Sequence, residues 1–218
     1  MSVLICMPCY GGNVSDKTTN SLFNLGKTFV RNNVPHGLLT TANESLISKG
    51  RSKMANFFIN NTEYEYLFFL DADVGFDPND VLKLLSHGEK IVCGAYPMKT
   101  VPLKWNFTLT EPLRKKGNLV AIERIGIGFS LIHRSVFDRI IEKYGQELKY
   151  IPTGESIGHE TTEKEMNNSY HFFSELKEEH IYLPEDLSFF TRAKRCGFQP
   201  WMDVSINLCH VGSHVFQE

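Results

Sequence analysis

The chain has 218 residues, of which 42% are hydrophobic and 22% are charged, and its formal net charge is −2 at pH 7. This length and apolar content are enough to bury a sizeable core in one domain. A nearly balanced charge without a long run of Lys and Arg argues against a polymeric nucleic-acid partner. No apolar run approaches the roughly 20 residues of a membrane span, and no secretory signal pattern is present. The five cysteines are an odd number scattered through apolar segments, so we expect a soluble cytoplasmic protein with reduced thiols.

The first half of the chain alternates between strand and helix patterns. Apolar runs predict strands at Val3 to Met7, Gly37 to Thr41, Tyr66 to Leu70 and Ile91 to Cys93. Helical spacing of apolar residues fills the intervals, with Asn43 as the expected cap of the second helix and Asp77-Pro78 at the start of the third. This alternation favours a largely parallel sheet with right-handed crossovers. We therefore assign residues 1–95 to a nucleotide-binding half.

Residues 96–218 show shorter strands that are less regularly spaced. The expected strands are Leu103 to Leu109, Leu119 to Arg124, Phe129 to Ile132, Gln199 to Met202 and Ser205 to Cys209. Helices are expected from Ser135 to Tyr144 and from Pro184 to Arg195, the second one closed by Gly197. Residues 145–183 are polar without sustained periodicity, which is typical of a lid or of disorder. The predicted fold is a single α/β domain, with the parallel half joined to a mixed sheet and flanked by helices.

The strand Tyr66 to Leu70 leads directly into two carboxylates, Asp71 and Asp73. An unbroken apolar run indicates a strand buried on both faces, and open α/β sheets bind ligands at the carboxyl ends of such strands. Two carboxylates at this spacing can share a hard divalent cation, which takes its other ligands from water and substrate phosphates. The alternative is two solvated Asp residues that close the strand, because Asp is common in turns.

Three motifs occur in a fixed order along the chain. They are the D-x-D of Asp71 and Asp73, the Glu185-Asp186 pair at a helix start, and Leu208-Cys209-His210 at the end of a last strand. In this order they resemble the metal-dependent nucleotide-sugar glycosyltransferases of the GT-A fold, viral members included. The resemblance covers nearly the whole chain, and residues 145–183 match least. It implies transfer of a sugar from a nucleoside-diphosphate sugar, most often a UDP-sugar, to a hydroxyl of a glycan acceptor.

The resemblance also implies residues that bind the donor. Pro8 and Tyr10 lie beside the base and ribose, and Arg51 pairs with the diphosphate, because a guanidinium matches phosphate oxygens. Asp71 faces the ribose or a metal-bound water, and Gly128 lines the sugar pocket. Each has a simpler alternative: Tyr10 as an aromatic residue of a turn, Arg51 as a solvated cation on the polar side of its helix, and Gly128 as a turn or bulge glycine.

For the metal and the chemistry, the resemblance implies that Asp73 and His210 ligate Mn²⁺ or Mg²⁺, with Asp71 in the same ligand sphere. His214 is the nearest competitor for the imidazole position. Asp186, supported by Glu185, is the candidate base that accepts the proton of the acceptor hydroxyl in an inverting transfer. In a retaining enzyme Asp186 would orient the acceptor or donor instead. The simpler alternative is a pair of acids favoured by the helix macrodipole.

Other functions fit parts of the same pattern. A haloacid-dehalogenase-type phosphatase also places a D-x-D after a hydrophobic strand, but that family has Thr or Val where this chain has Gly75. A nucleotidyltransferase would share the nucleotide and metal chemistry. A non-catalytic module that binds a nucleotide sugar or a glycan would keep the pocket without turnover. Tyr96 and Trp201 can be sugar-stacking or core aromatics.

Overall fold

The computed structural model describes residues 1–152, 160–212 and 215–217. Its helices are α1 (Asp16–Arg31), α2 (Ile47–Asn61), α3 (Pro78–Ser86), α4 (Arg134–Leu148), α5 (Glu163–Asn167) and α6 (Glu185–Arg195). Its strands are β1 (Val3–Cys9), β2 (His36–Ala42), β3 (Tyr66–Leu70), β4 (Val74–Gly75), β5 (Ile91–Cys93), β6 (Phe107–Leu109), β7 (Lys115–Lys116), β8 (Leu119–Ile125), β9 (Phe129–His133), β10 (Leu176–Glu178), β11 (Ile181–Leu183), β12 (Trp201–Asp203), β13 (Cys209–Val211) and β14 (Val215–Phe216). None of the helices in these ranges is long and apolar enough to cross a membrane.

Within the described residues, a nine-stranded sheet has the order β2-β1-β3-β9-β5-β12-β8-β6, and β7 pairs with β8. The pairs β1 with β2, β1 with β3 and β5 with β12 are parallel. Strand β9 runs antiparallel between β3 and β5. A parallel half is therefore joined to a mixed half in one α/β domain, which confirms the predicted fold class.

The helices cover both faces of this sheet because the central strands are apolar on both sides. One core packs α2, α4 and α6 against β1 residues such as Leu4 and Cys6. The other core packs α1 and α3 against Val3, Ile5 and Met7 of the same strand. The alternation along β1 follows the two-residue period of a strand. All five residues of β3 are buried, as the apolar run before Asp71 predicts.

Helix α2 differs from its prediction, because its polar side is buried as well as its apolar side. Arg51 is 5% exposed and Asn56 is 4% exposed. Asn56 donates to the Tyr170 carbonyl oxygen and accepts from the Tyr170 amide. The alternative that Arg51 is a solvated surface cation is therefore wrong. The reason is a long-range contact: the chain after α4 returns over α2 and covers it.

That returning chain also shows that both ends of the predicted lid, residues 145–183, belong to the packed domain. Helix α4 extends to Leu148, and Phe172 and Phe173 are fully buried in the core. A capping box from Thr162 to Glu165 starts α5. The segment packs through a few well-spaced aromatic residues, which a search for sustained periodicity does not detect. Residues 153–159, at the centre of the predicted lid, lie outside the described residues.

Two local predictions near the site are also wrong. Asn43 does not cap α2; it has a positive φ of 61° in the turn after β2, and the N-cap residue is Leu46. Asn tolerates this left-handed conformation better than most residues. The predicted strand from Ser205 is confined to Cys209–Val211. Its partners are the two-residue strands β4 and β14, which are too short to predict from sequence.

Candidate active site

The two carboxylates of the D-x-D lie in a tight turn between β3 and β4. The Val74 amide donates to the Asp71 carbonyl oxygen at 3.2 Å, and the Val211 amide donates to the Asp73 carbonyl oxygen at 2.8 Å. Strand β4 pairs with β13, which sets His210 opposite Val74. The ladder between these two short strands thus places the imidazole beside the second carboxylate.

Asp73, His210 and Lys99 form a small charged cluster. The His210 Nε2 atom lies 3.3 Å from Asp73 Oδ1, and the Lys99 Nζ atom lies 2.5 Å from Asp73 Oδ2. The His210 Nδ1 atom lies 2.9 Å from the Pro97 carbonyl oxygen. A carbonyl only accepts, so Nδ1 carries a hydrogen and donates it to Pro97, and Nε2 is the ring nitrogen turned toward Asp73.

This geometry fits two ligands of a divalent cation. A backbone carbonyl that fixes the other ring nitrogen is the usual support for a metal-binding His. Burial alone would raise the pKa of Asp73, but the hydrogen bonds and charges of His210 and Lys99 outweigh it and lower the pKa. Asp73 is therefore an anion at neutral pH. Among the described residues no three His, Cys, Asp or Glu side chains could hold a metal by themselves, so phosphate and water would have to complete the sphere.

Arg51 links the first carboxylate of the D-x-D to helix α6. Its guanidinium donates to Asp71 Oδ1 at 3.0 Å and to Glu185 Oε1 at 2.8 Å. Burial opposes the charge of Arg51, but Asp71 and Glu185 more than compensate, and the pKa of Arg51 is raised. The Arg51 Nε atom is buried without a partner among the described residues. Arg51 thus fixes the relative position of two predicted site residues.

Asp71 is held on its other side by Tyr96 and Gly128. The Tyr96 hydroxyl donates to Asp71 Oδ2 at 3.2 Å and accepts from the Gly128 amide at 3.2 Å. Burial, together with the charge of Asp71, raises the pKa of Tyr96 well above its usual value, so the phenol remains a donor. The Tyr96 ring also meets the His210 ring edge to face, with centroids 5.0 Å apart. Tyr96 therefore connects Asp71 to the His210 side of the site.

A Cβ atom at Gly128 would overlap Asp71 Oδ2, so one of the two groups would have to shift. We expect Gly128→Ala to displace the Asp71 carboxylate and to lower the free energy of unfolding by about 1–3 kcal/mol. Gly145→Ala is the matched control, because its Cβ would meet neighbours at an ordinary 3.5 Å inside α4. It should stabilise by about 0.5–1 kcal/mol. Thermal unfolding of both variants tests this, and equal stability of Gly128→Ala and wild type would contradict the steric argument.

Asp186 follows Glu185 in the first turn of α6. Its Oδ1 atom accepts from the Leu187 amide at 2.6 Å. Burial and the adjacent Glu185 charge raise the pKa of Asp186. The hydrogen bond from Leu187 and the more distant charge of Arg51 oppose this shift but do not cancel it. A carboxylate with a raised pKa is a better proton acceptor than an ordinary surface Asp.

An open cavity of about 480 Å³ gathers the predicted metal residues and every predicted donor residue except Gly128. Its walls include Pro8, Tyr10, Arg51, Asp71, Asp73 and His210. A second cavity of about 190 Å³ shares Pro8 and Tyr10 with the first and extends to Thr41 and Glu44. The Tyr10 side chain is 76% exposed, and the Thr41 hydroxyl is buried without a partner among the described residues.

Sequence reasoning missed several residues of this site. Lys99, Pro97 and Thr41 carry no motif, and only their long-range contacts reveal them. Tyr96 was expected to stack on a sugar or to lie in the core, whereas its hydroxyl contacts Asp71. The competitor His214 lies outside the described residues.

Comparison with known proteins identifies the fold. No family model matches the chain, and no curated protein matches it. Among solved structures, the chain is similar to A197 from STIV, with 18% identity and a TM-score of 0.56 over 97% of this chain and 86% of that one. It is also similar to GalNAc-T7, whose crystal structure holds UDP, GalNAc and Mn²⁺, with 11% identity and a TM-score of 0.53. That match covers 97% of this chain but 43% of GalNAc-T7. At these identities the similarity shows the fold, which is GT-A-like as predicted.

Proposed function

We propose that this chain is a glycosyltransferase that transfers a sugar from a UDP-sugar to a hydroxyl of a glycan acceptor with the help of Mn²⁺ or Mg²⁺. The observation that carries the proposal is the cavity beside the D-x-D turn, where Asp73 and His210 face each other at 3.3 Å. A carboxylate and an imidazole at this distance, with room for a phosphate group, suit a metal–diphosphate complex. The GT-A-like fold supports the same conclusion.

The donor nucleoside would occupy the two adjoining cavities. In this arrangement the exposed Tyr10 ring stacks on the base, next to Pro8, and the unpartnered Thr41 hydroxyl supplies a hydrogen bond to the base or ribose. An unpaired buried hydroxyl is costly, so a polar ligand group that pairs with it gains binding energy. Residues 1–95 then form the nucleotide-binding half, and residues 96–218 supply the acceptor side and His210.

The diphosphate would lie over Asp73 and His210, where a bound cation neutralises the departing nucleoside diphosphate. Arg51 is engaged by Asp71 and Glu185. It therefore contributes mainly by orienting these carboxylates and by the positive charge that it brings to the cavity. Arg51 and Tyr96 fix the Asp71 carboxylate. In the proposed complex this carboxylate accepts a hydrogen bond from the ribose or from a metal-bound water. Gly128 leaves space for this carboxylate and, beside it, for the transferred sugar.

On the acceptor side, Asp186 would take the proton of the attacking hydroxyl. The raised pKa of Asp186 suits this role. Glu185 is already engaged in an ion pair with Arg51, so it does not compete with Asp186 for the proton. In this reaction the acceptor oxygen bonds to the anomeric carbon, the bond to the diphosphate oxygen breaks, and the proton moves to Asp186. We propose the inverting course, because a base at this position serves direct displacement.

The proposal is tested by incubating the protein with UDP-sugars, Mn²⁺ and a panel of glycan acceptors. We expect release of UDP that increases with a suitable acceptor. Release of inorganic phosphate would instead identify a haloacid-dehalogenase-type phosphatase. Binding of the UDP-sugar without any release would identify a nucleotide-sugar-binding module.

The base preference gives a separate prediction. UDP with Mn²⁺ should raise the thermal unfolding temperature more than GDP or dTDP at the same concentration, because a tighter ligand stabilises more by mass action. Thr41→Val, which keeps the shape but removes the unpartnered hydroxyl, should reduce the advantage of UDP. A larger shift with GDP or dTDP would contradict the uridine assignment.

The source and compartment belong to the same proposal. We propose further that the chain is a viral enzyme that works in the host cytoplasm, as the resemblance of its motifs to the amino-terminal glycosyltransferase domain of a large chlorella-virus protein implies. Expression in infected cells, followed by fractionation, would test this part.

A further inference from the structure

One loop contacts both candidate metal ligands. Pro97 pairs with Trp105 in an isolated bridge, and the Met98 amide donates to the Lys104 carbonyl oxygen, so residues 97–105 form a closed loop. Pro97 accepts from His210, and two residues later Lys99 contacts Asp73. Each of these contacts joins segments that are distant in sequence. The loop therefore sets both the orientation of the imidazole and the charge around the carboxylate.

The position of Lys99 conflicts with simple metal binding. Its ammonium lies 2.5 Å from Asp73 Oδ2, while His210 lies beside Oδ1. Metal–ligand bonds to oxygen and nitrogen are about 2.1 Å long. A cation between Asp73 Oδ1 and His210 Nε2 would therefore be within roughly 5 Å of the ammonium, where like charges repel in a partly enclosed site. Without another anion, Lys99 and the cation compete for one carboxylate.

A nucleoside diphosphate removes this conflict because it brings several negative charges to the same place. The Lys99 side chain is 37% exposed. Its aliphatic part lies over Gly212, because a Cβ atom added at Gly212 would be 3.1 Å from Lys99 Cδ. The ammonium ends a flexible four-carbon stem that can turn from Asp73 to a phosphate oxygen. Asp73 is then free to ligate the cation.

We infer that Lys99 is a tethered counter-ion that makes the divalent cation and the nucleoside diphosphate bind as a pair rather than separately. This inference rests on the proposed function and adds a residue and an order of binding to it. Lys99 would pair with Asp73 in the free protein and with a phosphate oxygen in the complex. The coupling is reciprocal: the factor by which UDP strengthens Mn²⁺ binding equals the factor by which Mn²⁺ strengthens UDP binding.

The experiment is calorimetric titration of Mn²⁺ with and without UDP, and of UDP with Mn²⁺ or with EDTA, on folded protein. For Lys99→Met, which keeps the length of the stem but removes the charge, we expect Mn²⁺ to bind the nucleotide-free protein about tenfold more tightly. UDP in EDTA should bind about tenfold more weakly, because a charge-assisted contact is lost. The coupling factor, by which UDP strengthens Mn²⁺ binding, should fall by about tenfold.

Two further variants separate this role from a general effect of charge or folding. Lys99→Arg should keep the coupling near its wild-type value, and Lys104→Met, an exposed lysine of the same loop, should behave as wild type. If UDP binds wild type but Lys99→Met leaves the Mn²⁺ affinity and the coupling factor unchanged, the role of Lys99 is overturned while the proposed function stands. If wild type binds no UDP in Mn²⁺ or in EDTA, the proposed function fails and this inference fails with it.

Discussion

Replacing Asp186 with Asn is expected to lower the rate of sugar transfer by roughly 10²- to 10⁴-fold, the usual contribution of a positioned general base. Asn keeps the shape of the side chain and can still accept from the Leu187 amide, which lies 2.6 Å from Asp186 Oδ1. The fold and the affinity for UDP should therefore survive. Single-turnover transfer with saturating donor measures the chemical step directly and separates it from product release.

The raised pKa of Asp186 predicts two further properties of this variant. Burial and Glu185 favour the protonated form in the folded protein, so the ionised carboxylate destabilises the fold at neutral pH, and this penalty disappears as the pH falls through the raised pKa. Asp186→Asn should therefore unfold at a higher temperature than wild type at pH 7, and the difference should vanish in acid. The acid limb of the pH–rate profile of the wild type should lie above the ordinary Asp range.

Asp138→Asn is the matched control for Asp186→Asn. Asp138 is the fifth residue of helix α4, and burial raises its pKa as it does for Asp186. Helix α4 begins beside Glu65, at the end of β3 opposite the D-x-D turn. The control should share a gain in thermal stability without a loss of transfer. If Asp186→Asn transferred sugar at nearly the wild-type rate, Asp186 would be a helix-start acid, and another base or a retaining course would have to be sought.

The features that the sequence predicts best are those that depend on neighbouring residues. The apolar run of β3 indicates a strand buried on both faces, and the structure confirms it for all five residues. The same local pattern places Asp71 at the ligand end of the sheet. The start of α3 at Asp77-Pro78 is also confirmed, because the Asp77 side chain accepts from the Asn79 amide. These predictions need only burial, strand period and capping chemistry.

The features that the sequence does not predict depend on residues far apart along the chain. Arg51 and Glu185 are separated by 134 positions and Lys99 and Asp73 by 26, so no local pattern reports either ion pair. Arg51 follows helical spacing that suits a solvated cation equally well. Its burial accompanies two long-range contacts, with Asp71 after β3 and with Glu185 at the start of α6. The packing at the end of the predicted lid was missed for the same reason, since Phe172 and Phe173 fill a core contributed by other elements.

Replacing Asp73 with Asn should abolish most of the effect of Mn²⁺ on UDP binding. In wild type, Mn²⁺ should strengthen UDP binding, because a cation held by Asp73 and His210 offsets the pyrophosphate charges in a partly enclosed cavity. A neutral amide is a poor ligand for this cation, so the affinity of Asp73→Asn for UDP in Mn²⁺ should fall by about 100-fold, to a value close to its affinity in EDTA. His210→Ala should behave in the same way.

Asp77→Asn is the matched control for Asp73→Asn. It removes a nearby exposed carboxylate, and Asn replaces Asp as an N-cap at little cost. Calorimetric titration of UDP into the three variants and the wild type, in Mn²⁺ and in EDTA, compares them under identical conditions. Equal UDP affinity of the wild type in Mn²⁺ and in EDTA would refute the metal bridge, whatever the transfer activity. Lys99, which contacts Asp73 at 2.5 Å, would then be the remaining cation on this carboxylate, and donor binding would have to depend on the charges of the chain itself.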